Sequence, residues 1–230
     1  MPLTTFSSTL AQALEAKLRR LIGNEPRVRE RIDVDTLDGV ARRLWRPPST
    51  EWQIAEDWDI TSVLKTSLTN VLADDVAPGP TPSLRFVRAE WDSVIDARRV
   101  ESWEVYRAVP RLGRRTRLPE SRRLMLWSVY ERARQALREQ QRNTIADVYF
   151  NLVDRFSSEQ RSPWDHIVVD EAQDVSIPQL CFLAANAPLL GDARPFERAH
   201  ERPSVGARLL RDERGLKRRE PLCTGVRARG

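Results

Sequence analysis

Three apolar residues running straight into two adjacent carboxylates, Ile167-Val168-Val169-Asp170-Glu171, constrain the fold of this 230-residue chain more than any other stretch. A short continuous apolar run with polar flanks is the pattern of a strand covered on both faces, as in a parallel sheet. The carboxyl end of such a strand is where α/β folds hold ligands, and here that end carries Asp170 and Glu171. Adjacent side chains on a strand point to opposite faces, so a turn after Asp170 has to bring both carboxylates to one site. Paired acids in that position suit nucleotide chemistry. The first holds Mg²⁺, usually through its water shell, and the second orients or deprotonates the attacking water. The competing reading is that the pair caps the helix that follows and stabilises its dipole.

At 230 residues the chain has room for one large domain or two small ones. With 40% hydrophobic and 31% charged residues, its profile is globular rather than disordered or membrane-embedded. No apolar run approaches the roughly 20 residues that span a bilayer. The start, Met1 to Phe6, lacks both the basic segment and the long apolar stretch of a secretory signal, so the expected compartment is the cytoplasm. Cys181 and Cys223 have no second Cys or His at metal-ligand spacing. A formal charge of +5 suits a polyanionic partner, although an Arg-rich solvated surface yields the same balance.

Hydrophobic periodicity orders the rest. Leu3 to Phe6 reads as the end of a strand, and Ser7 or Ser8 caps a helix with Leu10, Leu14, Leu18 and Leu21 on one stripe. Gly23 to Pro26 ends it. Arg31 to Leu37 alternates as a half-buried strand before a helical pattern opens at Val40. Trp52 to Leu72 reads as a helix and Ala73 to Ser83 as a loop. Phe86, Trp91, Val94, Ile95 and Trp103 suit packed helices, and a long amphipathic helix runs from Pro119. Thr144 to Phe156 is a further helix before the Ile167–Val169 strand. Trp91, Trp103 and Trp127 sit at helical spacing and read as core rather than as base-stacking platforms. From Arg194 onward apolar periodicity fails, as in a disordered or aberrant tail. His166 reads as a structural residue at the edge of the strand.

The string Ile167 to Asp174 resembles motif II, the Walker B box, of UvrD/Rep/PcrA-like superfamily 1 DNA helicases. The resemblance implies that Asp170 binds Mg²⁺, that Glu171 shares the metal site and acts as catalytic base, and that Gln173 senses the γ-phosphate of ATP. Two shorter stretches resemble the family's DNA-contacting boxes in the required order. Thr4 to Ala11 is similar to motif Ia, which implies DNA contacts from Thr5, Phe6 and Ser8. Val34 to Leu44 is similar to the following box, which implies contacts from Thr36 and from position 38. Asp38 stands where the family commonly has histidine, and a carboxylate facing a phosphate repels it. Each short stretch, taken alone, is also an ordinary capped helix start.

The implied fold is α/β, an incomplete RecA-like (P-loop NTPase) parallel sheet with an inserted helical subdomain. Residues 1–75 would form its first part, 84–160 the helical insertion, 161–187 the return to the sheet, and 188–230 the tail. Implied cofactors are ATP and Mg²⁺, and the implied partner is single-stranded or partly duplex DNA. In the family this domain serves ATP-dependent 3′-to-5′ translocation and unwinding. The sequence contains no Gly-x-x-x-x-Gly-Lys-Ser/Thr loop and no Gly-Lys pair, which removes the cradle for the β- and γ-phosphates. Weak or absent ATP hydrolysis by this chain alone is therefore expected. Three readings stand: a helicase fragment, one part of a split helicase completed by another polypeptide, and a non-catalytic nucleic-acid-binding module.

Overall fold

The computed structural model describes residues 2–5, 7–23, 25–74, 81–110, 118–159, 162–170 and 172–186. The expected tail after 188, the Arg111–Arg117 run, Phe6 and Glu171 lie outside these residues. The chain divides into two compact units, one of residues 1–40 with 153–230 and one of residues 41–152.

The first unit holds a parallel sheet. Strand β1 (Pro2–Thr5) leads into α1 (Ser8–Ile22). Ser7 accepts from the Leu10 amide at 3.2 Å, satisfying one of the free N–H groups of the helix start. At the other end Gly23 adopts φ 58°, a backbone conformation costly for a residue with a Cβ. A short α2 (Pro26–Arg29) is followed by β2 (Asp33–Thr36), which turns directly into α3 (Leu37–Leu44). This helix begins three residues before Val40 because the Thr36 hydroxyl accepts from the Gly39 amide at 2.9 Å and caps the first turn. Helix α1 packs on both β1 and β2. Ala11 is its one buried residue; Leu10, Leu14 and Leu18 are half-buried, and Leu21, expected on the same stripe, is 82% exposed.

In the second unit, β3 (Gln53–Ile54) precedes α4 (Asp57–Asp74), α5 (Leu84–Glu90), a π-helix (Trp91–Asp96), α6 (Trp103–Ala108) and α7 (Glu120–Glu139). Strand β4 (Arg142–Asn143) pairs parallel with β3. Helix α4 lies against α7, so residues 41–75 group with the helices rather than with the sheet. Their core contains Leu64, Val87, Trp91, Ile95, Tyr106, Leu126 and Tyr130, each at most 1% exposed. The Trp91 and Tyr130 rings lie 6.1 Å apart, and Tyr106 stacks on Trp127 at 5.9 Å. These tryptophans are core, as their spacing indicated, and Trp103 packs half-buried against them.

Helix α8 (Ile145–Glu159) returns the chain to the first unit, where β5 (Val168–Val169), a 3₁₀ turn (Ala172–Asp174) and α9 (Ile177–Asn186) complete it. Phe156, Trp164 and Phe182 form an aromatic cluster there, with Phe182 6.2 Å from each of the others. The sheet order is β2-β1-β5, all parallel. Leu3 is level with Val168 and Thr4 with Val169, and the Asp170 amide continues the ladder to the Thr4 carbonyl at 2.9 Å.

The Ile167–Val169 run has the pattern of a strand covered on both faces, yet Val168 is 41% exposed and Val169 is half-buried. The reason is position: among the described residues β5 pairs only with β1, at the margin of the sheet. The parallel direction expected from the apolar run holds. Among the described residues no helix is long and apolar enough to cross a membrane.

Candidate functional site at the strand ends

Strands β1, β2 and β5 run parallel, so their carboxyl ends, Thr5, Thr36 and Val169-Asp170, emerge on one side of the sheet. A cavity of about 300 Å³ opens there, lined by Thr5, Ser8, Thr36, Leu37, Asp38, Val169, Asp170, Val175 and Gln179. Five of the residues singled out in the sequence, Thr5, Ser8, Thr36, Asp38 and Asp170, thus share one wall although they span 165 positions. The parallel register brings them together, since each ends a strand or opens the helix after it.

Local chemistry holds the walls. Thr4 is buried and donates through its hydroxyl to the Val168 carbonyl at 3.2 Å, adding a side-chain tie to the two-residue β5 ladder. Thr5 is 2% exposed, and its hydroxyl has no hydrogen-bond partner among the described residues. Asp35 accepts from the Thr36 amide at 2.7 Å, directing the turn from β2 into α3. Asp38 stands in the first turn of α3, where the helix dipole favours a carboxylate.

The carboxylate of Asp38 accepts a hydrogen bond from the Gln179 amide at 2.9 Å, and the Gln179 carbonyl oxygen accepts from the Ser176 amide at 2.9 Å. Ser176 and Gln179 make the Ser-x-x-Gln half of a capping box, in which the third helical residue reaches back to the cap backbone. The Leu180 amide donates to the Ser176 carbonyl as the first bond of the helix. Gln179 therefore reaches back over the first turn of α9 and satisfies the Ser176 amide.

Gln173 lies on the exposed 3₁₀ turn and is not part of the cavity wall. Glu171 and Phe6 fall outside the described residues. His166 is exposed two residues before β5. Gln179 is the site residue that motif reading passed over. Its signal was present as the spacing Ser176-Ile177-Pro178-Gln179, but a capping box predicts only the local contact and not the partner 141 residues away.

Chemically, a cavity at parallel strand ends with two carboxylates and three hydroxyl-bearing side chains offers hard oxygen ligands to a hydrated divalent cation, and donors to a phosphodiester. Among the described residues no group of three or more acidic, histidine or cysteine side chains is clustered as a complete metal site. The chain matches no protein-family model, and it matches no curated protein.

Proposed function

We propose that this chain is the DNA- and nucleotide-facing part of a UvrD-like ATP-dependent DNA helicase, with residues 2–40 and 162–186 belonging to a RecA-like sheet and the helices of residues 41–152 to its insertion. In this reading Asp170 faces hydrated Mg²⁺ and the phosphates of ATP, Glu171 activates water, and Gln173 senses the γ-phosphate. Thr5, Phe6, Ser8 and Thr36 face single-stranded DNA.

A single observation carries the proposal. Residues from three sequence boxes that resemble helicase motifs, in the family's order, line one cavity at the carboxyl ends of three parallel strands. Any parallel sheet gathers its strand ends on one side; what favours the helicase reading is that these ends carry the residues of the three boxes.

A second reading, a non-catalytic nucleic-acid-binding module, is favoured by a different observation: the sequence holds no Gly-Lys pair to cradle phosphates, and a carboxylate at Asp38 replaces the family's histidine. The two readings share the DNA surface and differ in whether nucleotide matters.

Fluorescence anisotropy with a labelled single-stranded oligonucleotide tests the common part. Binding should weaken steeply with salt as counterion release requires, and Thr5→Ala with Thr36→Ala should weaken it about ten-fold, the loss of roughly 1.4 kcal/mol of contacts. Absence of binding at low salt would overturn both readings. A change in affinity on adding millimolar Mg²⁺ with a non-hydrolysable ATP analogue separates helicase from inert module.

A further inference from the structure

Two hydrogen bonds of the Gln179 side chain have different jobs. Its carbonyl oxygen closes the cap of α9 on the Ser176 amide, and its NH₂ group reaches Asp38 at the start of α3. The amide can sit only one way round. Turning it over would set NH₂ against a backbone N–H and oxygen against a carboxylate, two repulsions in place of two bonds. The residue is half-buried on the cavity wall, between the acidic turn that follows β5 and the Thr36–Gly39 turn.

Both segments that it joins are short. Asp170 leads into a three-residue 3₁₀ turn, then Val175 and the Ser176 cap. On the other side, Thr36 caps α3 through the Gly39 amide, and Asp35 accepts from the Thr36 amide. A displacement of the turn after Asp170 that shifts the Ser176 cap therefore pulls on Asp38, and through α3's first turn on Thr36.

We propose that Gln179 is a positioning residue that links the Asp170 end of the cavity to the Thr36–Asp38 end, so that occupancy at one changes affinity at the other. This deepens the function proposed above and rests on it. It also gives Asp38 a use: the carboxylate that suits a phosphate contact poorly is the acceptor that receives the link.

The substitution Gln179→Glu separates the two jobs. It keeps an oxygen for the Ser176 amide, as capping boxes accept Glu or Gln alike, but presents a second carboxylate to Asp38. Adding Asp38→Asn then restores a donor–acceptor pair with its direction reversed. The experiment measures the dissociation constant of a labelled single-stranded oligonucleotide with and without millimolar Mg²⁺ and a non-hydrolysable ATP analogue. It compares the full chain, Gln179→Glu, and Gln179→Glu with Asp38→Asn, each verified as folded by circular dichroism.

The wild-type ratio of the two constants should be about five-fold or more, the lower end of ordinary coupling between sites. It should fall to about one in Gln179→Glu and recover in the double variant. A merely structural role would change the affinities without restoring the ratio on charge reversal. A wild-type ratio retained in Gln179→Glu overturns the link and leaves the functional reading intact, and a double variant that stays at one also overturns it. A wild-type chain that binds no oligonucleotide overturns link and functional reading together, whereas binding with a ratio of one overturns the link and the helicase reading and leaves only the non-catalytic nucleic-acid-binding module.

Discussion

The Thr144 hydroxyl donates to Asp96 at 2.8 Å while the Thr144 amide donates to Asp147 at 3.0 Å, so one threonine gathers two carboxylates at the start of α8. They border a cavity of about 220 Å³ in the helical unit, with Arg134, Arg138 and Arg142 on its other walls. Burial, reinforced by the charge of Asp147 and to a smaller extent Asp92, pushes the Asp96 carboxyl from 3.8 up to about 7, against the opposing pull of the Thr144 hydroxyl and Arg134.

This predicts an acid-favoured fold. A carboxyl whose folded pKa lies above its unfolded value holds its proton more tightly when folded, so its contribution is intact below the unfolded value of 3.8 and is progressively lost as pH rises through about 7. Thermal unfolding followed by circular dichroism should show the melting temperature falling from about pH 5 to about pH 8. Asp96→Asn, which still accepts from Thr144, should flatten that fall. Parallel profiles for the two proteins would disprove the assignment.

Asp59 is 4% exposed and accepts from Arg142 at 2.7 Å and from the Glu56 amide at 3.0 Å, beside the β3–β4 pair. Arg142→Ala strips a buried carboxylate of its cation, which costs about 3 kcal/mol. Urea unfolding of the variant should show a loss of that order. Asp59→Asn in the same background should return part of it, because a neutral amide needs no counter-charge.

Gly39 is a helical residue where alanine would ordinarily add about 1 kcal/mol. Here an added Cβ would overlap the Asp35 carboxylate and drive it off the Thr36 amide. Losing that charge-assisted bond costs about 1.5–3 kcal/mol, so Gly39→Ala should be destabilising overall by about 1 kcal/mol. In an Asp35→Ala background the obstacle is gone, and Gly39→Ala should become stabilising. Chemical denaturation of the four proteins decides the sign.

ATP turnover by the purified chain should be weak even with single-stranded DNA present, because carboxylates without a phosphate cradle cannot position the nucleotide for attack. Whatever turnover exists should disappear in Asp170→Asn. Robust DNA-stimulated hydrolysis measured as phosphate release would contradict the expectation.

Local structure was readable where it depends on neighbours in the chain. A cap at Ser7 or Ser8, which the structure assigns to Ser7, the stop at Gly23 and the amphipathic course of α7 follow from residues within a few positions of each other. The strand ending at Asp170 was legible in direction but not in burial: three apolar residues look alike whether a strand lies inside a sheet or at its margin, and what distinguishes them is that among the described residues β5 pairs with β1 alone.

The identity of the acids and hydroxyls around the cavity, and their place at strand ends, was set by sequence alone, because strand and cap propensities act over short distances. Tertiary structure decided what those residues meet. Side-by-side parallel strands brought Thr5, Thr36 and Asp170 to one wall, left Gln173 on an exposed turn, and closed the Asp38–Gln179 contact. Such pairings arise only when packing brings distant segments within about 3 Å, a distance that no local pattern encodes.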